Sequence, residues 1–326
     1  MQIADSHCDL LSYLFYEKGH QYDAAARCSI PQLQQGNVVL QTLAIFTNSA
    51  DSQSSENGIA QSEIFANLLT EEDEYVFGVQ NFDDLEELEN DTRIGLIASI
   101  ENASGFCSEY DSLEEGFDNL ETIIRNTGRV FYISLTHHHK NRFGGGNYTR
   151  TGLLDDGRRL LDYLSGRNIA IDFSHTSDAL AYDILQHIDA EDLDLHILAS
   201  HSNMRAIHPN KRNLPDELVE EILRRGGIIG LNWIKSFIGR KQEDYFKHLE
   251  YALSLGASHQ LCMGSDLFYF EQPEDKPNIN FFEPYQTAAD YPSFIDDLEA
   301  HNILNPKQLR DFTKNNLLNF LEKLMR

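Results

Sequence analysis

The chain has 326 residues, of which 41% are hydrophobic and 24% charged, a balance typical of folded globular proteins rather than disordered ones. Its 52 acidic residues outnumber 26 basic ones and give a formal net charge of −26, which argues against a nucleic-acid partner because such a surface repels phosphate backbones. Four cysteines without CxxC spacing indicate reduced thiols in a cytoplasmic protein. Neither a signal peptide nor an apolar run of the ~20 residues that a membrane helix needs is expected.

Eight short apolar runs predict strands, because several are nearly continuous in Val, Ile, Leu and Ala, as parallel strands covered on both faces are. In chain order they are Ile3–His7, Val38–Phe46, Ile94–Glu101, Val130–His137, Ile169–His175, Leu195–His201, Gly227–Asn232 and Gln260–Asp266. Amphipathic segments predict helices over Ile59–Leu69, Leu113–Asn126, Asp156–Gly166, Ala179–Ile188, Pro215–Arg224, Glu243–Leu255, Tyr291–His301 and Pro306–Met325.

This alternation of strands and helices predicts an α/β fold, a (β/α)8 TIM-like barrel, and we expect residues 1–326 to form one domain. The main irregularities are a long connection between the first two strands and another around Leu267–Ala289. Long loops of this kind usually shape a substrate pocket or a subunit contact.

Residues able to bind metals or transfer protons stand at the ends of six predicted strands. In a barrel the C-terminal strand ends open onto one face, where the active site lies, so residues far apart in sequence are expected to converge in one pocket. The six are His7, Glu101, His137, His175, His201 and Asp266.

His7 and Asp9 are separated by one residue, so on a strand both side chains point to the same side. An imidazole and a carboxylate together suit zinc or a related divalent cation. Asp5 shares that side, one layer deeper. It fits either a hydrogen-bond acceptor that orients a ligand, or a residue at the start of the strand that is partly exposed below the barrel.

Further segments make the pattern specific, and together they resemble the membrane (renal) dipeptidase family, metallopeptidases of the amidohydrolase-like barrels. The similarity runs from the first strand to the last helix and includes IPQLQQGNVVLQTLAIF (residues 30–46) and TGLLDDGRRLLDYL (residues 151–164). The motif segments are Ser99-Ile100-Glu101, Ser134-Leu135-Thr136-His137, Ile171-Asp172-Phe173-Ser174-His175, Ala199-Ser200-His201, Lys211-Arg212-Asn213-Leu214-Pro215-Asp216 and Gly264-Ser265-Asp266.

The resemblance implies a zinc-dependent dipeptidase that cleaves small dipeptide-like substrates by attack of a hydroxide shared between two divalent metal ions. Whether a C-terminal D-residue is accepted stays open. Matched motif by motif, it implies that His7 and Asp9 bind one ion. It assigns His175 and His201 to the other ion, and Glu101 to a bridge between the two.

The resemblance also implies a homodimer and roles for three further residues. His137 matches the family histidine that contacts the substrate and its tetrahedral intermediate, Arg212 the arginine that holds the substrate's carboxylate, and Asp266 the acid–base aspartate. From the residues alone, a surface arginine grouped with Lys211 and Arg205 is the favoured interpretation of Arg212.

Elementary chemistry agrees with these roles. Two cations about 3.5 Å apart lower the pKa of a shared hydroxide and polarise the scissile carbonyl. Asp266 ends the eighth strand, beside the first in a closed barrel, and is expected to take the proton on attack and pass it to the leaving amine. His137 is expected to donate to the developing oxyanion. The planar fork of Arg212 matches a carboxylate.

The segment after Asp266 departs from the family pattern. The family often reads Gly-Ser-Asp-Phe-Asp-Gly, whereas this chain reads Gly-Ser-Asp-Leu-Phe-Tyr-Phe, so bulky apolar residues replace an acid and a glycine and the pocket wall is expected to differ.

Two alternatives remain open: another amidohydrolase-type hydrolysis of a small amide, ester or lactone, and a catalytically silent barrel that binds metals or peptides. The Glu101 bridge argues against the first, because many such barrels use a lysine, and the complete ligand set argues against the second.

Overall fold

The computed structural model describes residues 1–271 and 279–326 of the chain. Residues 272–278, within the predicted connection Leu267–Ala289, lie outside the described residues. The described residues contain nine strands: β1 (Ile3–Cys8), β2 (Val38–Phe46), β3 (Val76–Gly78), β4 (Ile94–Glu101), β5 (Val130–Ser134), β6 (Ala170–Asp172), β7 (Ile197–Leu198), β8 (Ile229–Leu231) and β9 (Leu261–Met263).

Eight of these strands form a nearly closed parallel barrel, in the order β7-β6-β5-β4-β2-β1-β9-β8. The two ends of this order meet where the Ala199 amide donates to the Ile228 carbonyl at 2.9 Å and the Gly230 amide donates to the Ala199 carbonyl at 2.8 Å. The approach requires a glycine, because a Cβ at Gly230 would lie 2.0 Å from the carbonyl oxygen of Ser200. The predicted (β/α)8 fold is confirmed.

The bounds of the predicted helices agree with the observed ones to within a few residues, except that the helix predicted from Ile59 begins five residues earlier, at Ser54. In the described residues they are α1 (Leu10–Tyr16), α2 (Ile30–Gln35), α3 (Ser54–Glu71), α4 (Phe82–Glu87), α5 (Leu113–Thr127), α6 (Asp155–Leu164), α7 (Asp178–Glu191), α8 (Asp216–Arg224), α9 (Lys235–Ile238), α10 (Asp244–Ser254), α11 (Tyr291–His301), α12 (Pro306–Arg310) and α13 (Asn316–Met325). The helix predicted over Pro306–Met325 contains one π turn, Asp311–Asn315, between α12 and α13.

Strand β3 and the short helices α1, α2, α4 and α9 were not predicted from the sequence. Strand β3 has three residues and pairs with β4 outside the barrel order, so its apolar run is too short to distinguish from a loop. Helices α1 and α2 lie in the connection between β1 and β2, which is therefore an ordered part of the fold. None of the helices in the described ranges combines the length and apolarity that crossing a bilayer demands.

Four predicted strands were wrong at their C-terminal ends, which lie three residues earlier than expected. Leu135, Phe173 and Ala199 directly follow the last residues of β5, β6 and β7 and are buried, so the apolar pattern continues past the last strand residue. Burial alone therefore does not mark a strand end. The observed last residues are Ser134, Asp172, Leu198 and Met263.

Candidate metal centre

Four predicted site residues lie in the loops that follow barrel strands, each three positions after the strand's last residue: His137, His175, His201 and Asp266. His175 and Asp266 have left-handed backbone conformations, with φ of 66° and 59°. Such conformations are costly for residues other than glycine and cluster at functional sites. These turns bend the chain over the end of the barrel, where the four side chains meet those of β1 and β4.

One half of the cluster is built around the His7 ring. Its Nε2 atom lies 3.9 Å from Asp9 Oδ2, 3.8 Å from Asp266 Oδ1 and 3.7 Å from Glu101 Oε2. Both His7 Nε2 and Asp9 Oδ1 are buried without a hydrogen-bond partner. Three carboxylates thus face one imidazole nitrogen at separations longer than hydrogen bonds, and the nitrogen itself is unsatisfied.

The other half contains two further histidines. His175 Nε2 lies 2.9 Å from His201 Nε2 and 2.9 Å from Glu101 Oε1, and His201 Nε2 lies 3.6 Å from the same oxygen. Glu101, the last residue of β4, therefore directs Oε1 to this pair and Oε2 to His7. Its carboxylate separates the two halves and faces both.

A buried tyrosine fixes the tautomer of His7. The Tyr132 hydroxyl donates to the carbonyl oxygen of Ser6 at 2.9 Å and lies 2.7 Å from His7 Nδ1. Because a hydroxyl has one proton, it accepts the second hydrogen bond from the Nδ1–H group. The Nε2 lone pair of His7 is therefore free and points toward the carboxylates.

A serine and an aspartate fix His201 in the same way. Ser200 Oγ donates to Asp172 Oδ2 at 2.7 Å and lies 2.7 Å from His201 Nδ1, from which it accepts. Asp172 also accepts from Ser134 Oγ at 2.7 Å and from the Ser174 amide at 2.9 Å. Neither Asp172 nor Tyr132 was predicted as a site residue. Their polar side chains inside apolar strands were the feature of the sequence that could have indicated such a role.

Burial shifts the pKa values of the cluster's carboxylates and of His7 toward their uncharged forms. Burial raises the pKa of Asp9 to about 7, and burial together with Asp9 and Asp266 raises the pKa of Glu101 well above its usual range. Burial, reinforced by Arg212, lowers the pKa of His7 to about 3. Neutral imidazoles and crowded carboxylates with unpartnered lone pairs are the nitrogen and oxygen donor set of a divalent cation such as zinc. The residues present therefore fit a metal centre.

Asp5 supports the cluster from below and is fully buried, so its exposure below the barrel is excluded. Its carboxylate accepts from the amides of His7 at 2.9 Å and Ser265 at 3.0 Å, and from the Tyr291 hydroxyl at 2.7 Å. It therefore orients the backbone segments that carry His7 and Asp266, rather than a ligand ring.

The two predicted substrate-contacting residues lie in different environments. His137 faces the cluster, with Nε2 3.9 Å from Glu101 Oε1, and its side chain is 27% exposed. Arg212 is 3% exposed and donates to Ser202 Oγ at 2.6 Å and to the His201 carbonyl at 2.8 Å. Arg212 is therefore a buried residue and not the surface arginine that the sequence alone favours.

A cavity of about 560 Å³ lies over the cluster, within the usual size range of ligand pockets. Asp9, Glu101, His137, His175 and Asp266 line it, so the cluster is accessible from the cavity. In the described part of the chain a further potential ligand adjoins the site: atoms of His138 lie within 4.8 Å of those of His137 and His175.

We expect Tyr132→Phe to weaken metal binding by ~10- to 100-fold, the range found when a hydrogen-bond partner of a ligand histidine is removed. The phenyl ring preserves the packing of β5 but no longer fixes the His7 tautomer. Competition of the purified variant with a chromophoric chelator measures the change. Tyr182→Phe, at a 42% exposed tyrosine of α7, is the matched control. An unchanged affinity would show that the Tyr132 hydroxyl does not orient a ligand.

The family profile described as membrane dipeptidase, peptidase family M19, matches residues 1–325. An uncharacterised protein from the pqqA 5′ region of Klebsiella pneumoniae is 26% identical over 212 residues, which is 60% of this chain and 73% of that one.

Two solved structures share the fold. A metallopeptidase from Rhodobacter sphaeroides, bound to a phosphinate mimic of the dipeptide L-Ala-D-Ala, superposes with a TM-score of 0.82 at 18% identity and covers 99% of both chains. A metallopeptidase of family M19, dipeptidase AC, superposes with a TM-score of 0.84 at 19% identity over 100% of this chain and 99% of its own. At these identities the likeness establishes the barrel fold.

Proposed function

Because the chain belongs to the membrane dipeptidase family, peptidase family M19, we propose that it hydrolyses the peptide bond of small dipeptides at a centre for two divalent cations, zinc being the ion that suits the donors best. The position of Glu101 carries the proposal. Its two oxygens face two separate sets of histidine nitrogens, at 3.7 Å from His7 Nε2 and 2.9 Å from His175 Nε2. A carboxylate in this position is suited to two ions.

In this proposal His7 and Asp9 hold one ion, His175 and His201 hold the other, and Glu101 is shared. The bound ions supply Lewis acidity and an activated water molecule at neutral pH. The chain contributes the fixed orientation of its ligands. His7 and His201 each donate Nδ1–H to a buried hydroxyl, which leaves Nε2 for the ion.

Asp266 is proposed as the proton carrier. Its Oδ1 atom lies 3.8 Å from His7 Nε2, so its carboxylate borders the ion position and the cavity at once. Burial, followed by Asp9, raises the pKa of Asp266 well above its usual range, which favours a group that both accepts and returns a proton. The accepted proton would go to the leaving amine.

His137 and Arg212 are proposed to bind the substrate. The exposed edge of His137 lies beside Glu101 and is positioned to donate to the oxygen of the attacked carbonyl. The Arg212 guanidinium lies 5.5 Å from the ring of Phe237, which lines the cavity, and supplies a buried positive charge toward the substrate's carboxylate. Its unpartnered buried Nε is an available donor.

Metal removal tests this function. We expect purified protein treated with a chelator to lose hydrolysis of Ala-Ala and of L-Ala-D-Ala, and zinc titration to restore it with saturation near two ions per chain, as a two-metal centre requires. Ester and lactone substrates assayed in parallel are expected to be poor. Activity that survives chelation, or restoration that is complete at one ion, would contradict the proposal.

We further propose that residues 1–326 form one barrel domain and that the protein acts in the cytoplasm. The eight barrel strands belong to one sheet, and the four cysteines are buried thiols rather than disulfides. The homodimer implied by the family resemblance is part of the same proposal.

A further inference from the structure

The segment after Asp266, where the sequence departs from the family pattern, is fixed against the start of the chain. Leu267 is fully buried and forms a parallel bridge with Cys8, and its carbonyl accepts from the Asp9 amide at 3.0 Å. The next residue, Phe268, packs on the buried ring of Phe281 with centroids 5.5 Å apart. The bulky residues after Asp266 are therefore a built part of the pocket.

Helix α1, which begins directly after Asp9, adds more aromatic rings to the same side of the cavity. The Tyr13 ring lies 5.1 Å from that of Tyr269, and Tyr16 follows three residues later on the same helix face. The Tyr13 hydroxyl donates to Asp23 at 3.0 Å, outside the cavity lining, so its polar atom is satisfied elsewhere. Tyr13, Tyr16, Phe268 and Tyr269 all line the cavity and form what we call the aromatic wall.

The side of the cavity near Arg212, which follows β7, lies across the barrel from Tyr16, whose hydroxyl donates to the carbonyl of Phe46 at the end of β2, four strands from β7 in the barrel order. It includes Ile234, Ser236 and Phe237, from the segment after β8, and the Phe237 ring lies 5.5 Å from the Arg212 guanidinium. A dipeptide whose carboxylate is drawn toward Arg212 has its carboxy-terminal residue on this side. The carbonyl to be attacked then lies over Glu101, and the amino-terminal side chain faces the aromatic wall.

We propose that the aromatic wall is the subsite for the side chain of the substrate's amino-terminal residue and selects large apolar or aromatic side chains there. This inference rests on the proposed function, since it takes the orientation of the dipeptide from it. The wall's rings are preorganised by backbone pairing and packing, so a flat apolar side chain is bound without ordering a loop. Small amino-terminal residues leave the rings in contact with water.

Matched dipeptides measure the selectivity. With Phe-Ala, Ala-Phe and Ala-Ala, the parent enzyme is expected to show kcat/KM for Phe-Ala at least ~10-fold above both others, as expected for a large side chain buried in an apolar pocket. Equal values, or a preference for Ala-Phe over Phe-Ala, would overturn the assignment without any substitution being needed.

Variants localise the effect. Tyr269→Ala is expected to reduce the Phe-Ala to Ala-Ala ratio by ~10-fold, whereas Tyr269→Phe keeps the ratio within about twofold because the ring is retained. Tyr110→Ala, at a tyrosine 80% exposed and outside the cavity lining, is the control that leaves the ratio unchanged. A Tyr269→Ala ratio equal to that of the parent would contradict the subsite.

Calorimetric titration of zinc-loaded protein with Phe-Ala and Ala-Phe separates this inference from the proposed function. Hydrolysis of Ala-Ala with no selectivity in rate or binding would support the proposed function and contradict the subsite. If no dipeptide is hydrolysed but Phe-Ala binds at least ~10-fold more tightly than Ala-Phe, the proposed function is contradicted and the subsite is supported.

Discussion

Glu101→Gln is expected to lower kcat/KM for dipeptide hydrolysis by at least about a thousandfold and to leave fewer than two metal ions per chain. Glu101 faces His7 through one oxygen and the His175–His201 pair through the other. Glutamine keeps the size of the side chain but removes its charge and one of its two acceptor oxygens. Losing several kcal/mol of metal-derived stabilisation corresponds to about three decades in rate.

The stability of the metal-free proteins distinguishes this effect from misfolding. Glu101 is buried beside Asp9 and Asp266, so the amide removes an unfavourable carboxylate contact, and the melting temperature of metal-free Glu101→Gln is expected to be no lower than that of the metal-free parent. Glu220→Gln, at an exposed position of α8, controls for the chemical change. A Glu101→Gln variant that binds two ions and turns over normally would exclude a shared glutamate.

Asp266→Asn is expected to retain two metal ions and to lose ~10²- to 10⁴-fold in kcat, the usual contribution of a general acid–base group. The residue has φ of 59°, and asparagine tolerates this left-handed conformation as well as aspartate does. The backbone turn over the barrel is therefore preserved while the proton carrier is lost. Metal analysis and steady-state kinetics on the same preparation measure both outcomes.

Asp192→Asn provides a closely matched control. Asp192 also has a left-handed backbone, with φ of 52°, but is exposed at the C-terminus of α7. This control is expected to behave as the parent in both assays. If Asp266→Asn keeps its turnover, Asp266 is not the proton carrier. If it loses an ion instead, Asp266 acts as a ligand in the half of the site that contains His7.

The fold could be predicted from the sequence because barrel strands buried on both faces appear as nearly uninterrupted apolar runs. All eight barrel strands were predicted, and the bounds of β2 and β4 were correct. Four C-terminal strand ends were not, since residues such as Leu135 and Phe173 are buried in loops as completely as strand residues are. The three-residue strand β3 was missed because its run is too short to stand out.

The candidate site was predictable to the extent that its groups end apolar runs of the sequence. His7, Glu101 and His175 stood out because each carries metal-binding chemistry at the end of an apolar run. The supporting groups Tyr132 and Asp172 did not, because their contacts, with His7 and with Ser200 beside His201, join strands distant in sequence. The burial of Arg212 likewise depends on the path of a loop, which no local pattern encodes.

Anomalous diffraction at the zinc edge, from crystals of the metal-loaded protein, locates the bound ions. We expect two peaks with Glu101 between them, one bounded by His7 and Asp9 and the other by His175 and His201. One peak held by His137, His138 and His175, or the absence of any peak beside Glu101, would contradict a two-metal dipeptidase centre.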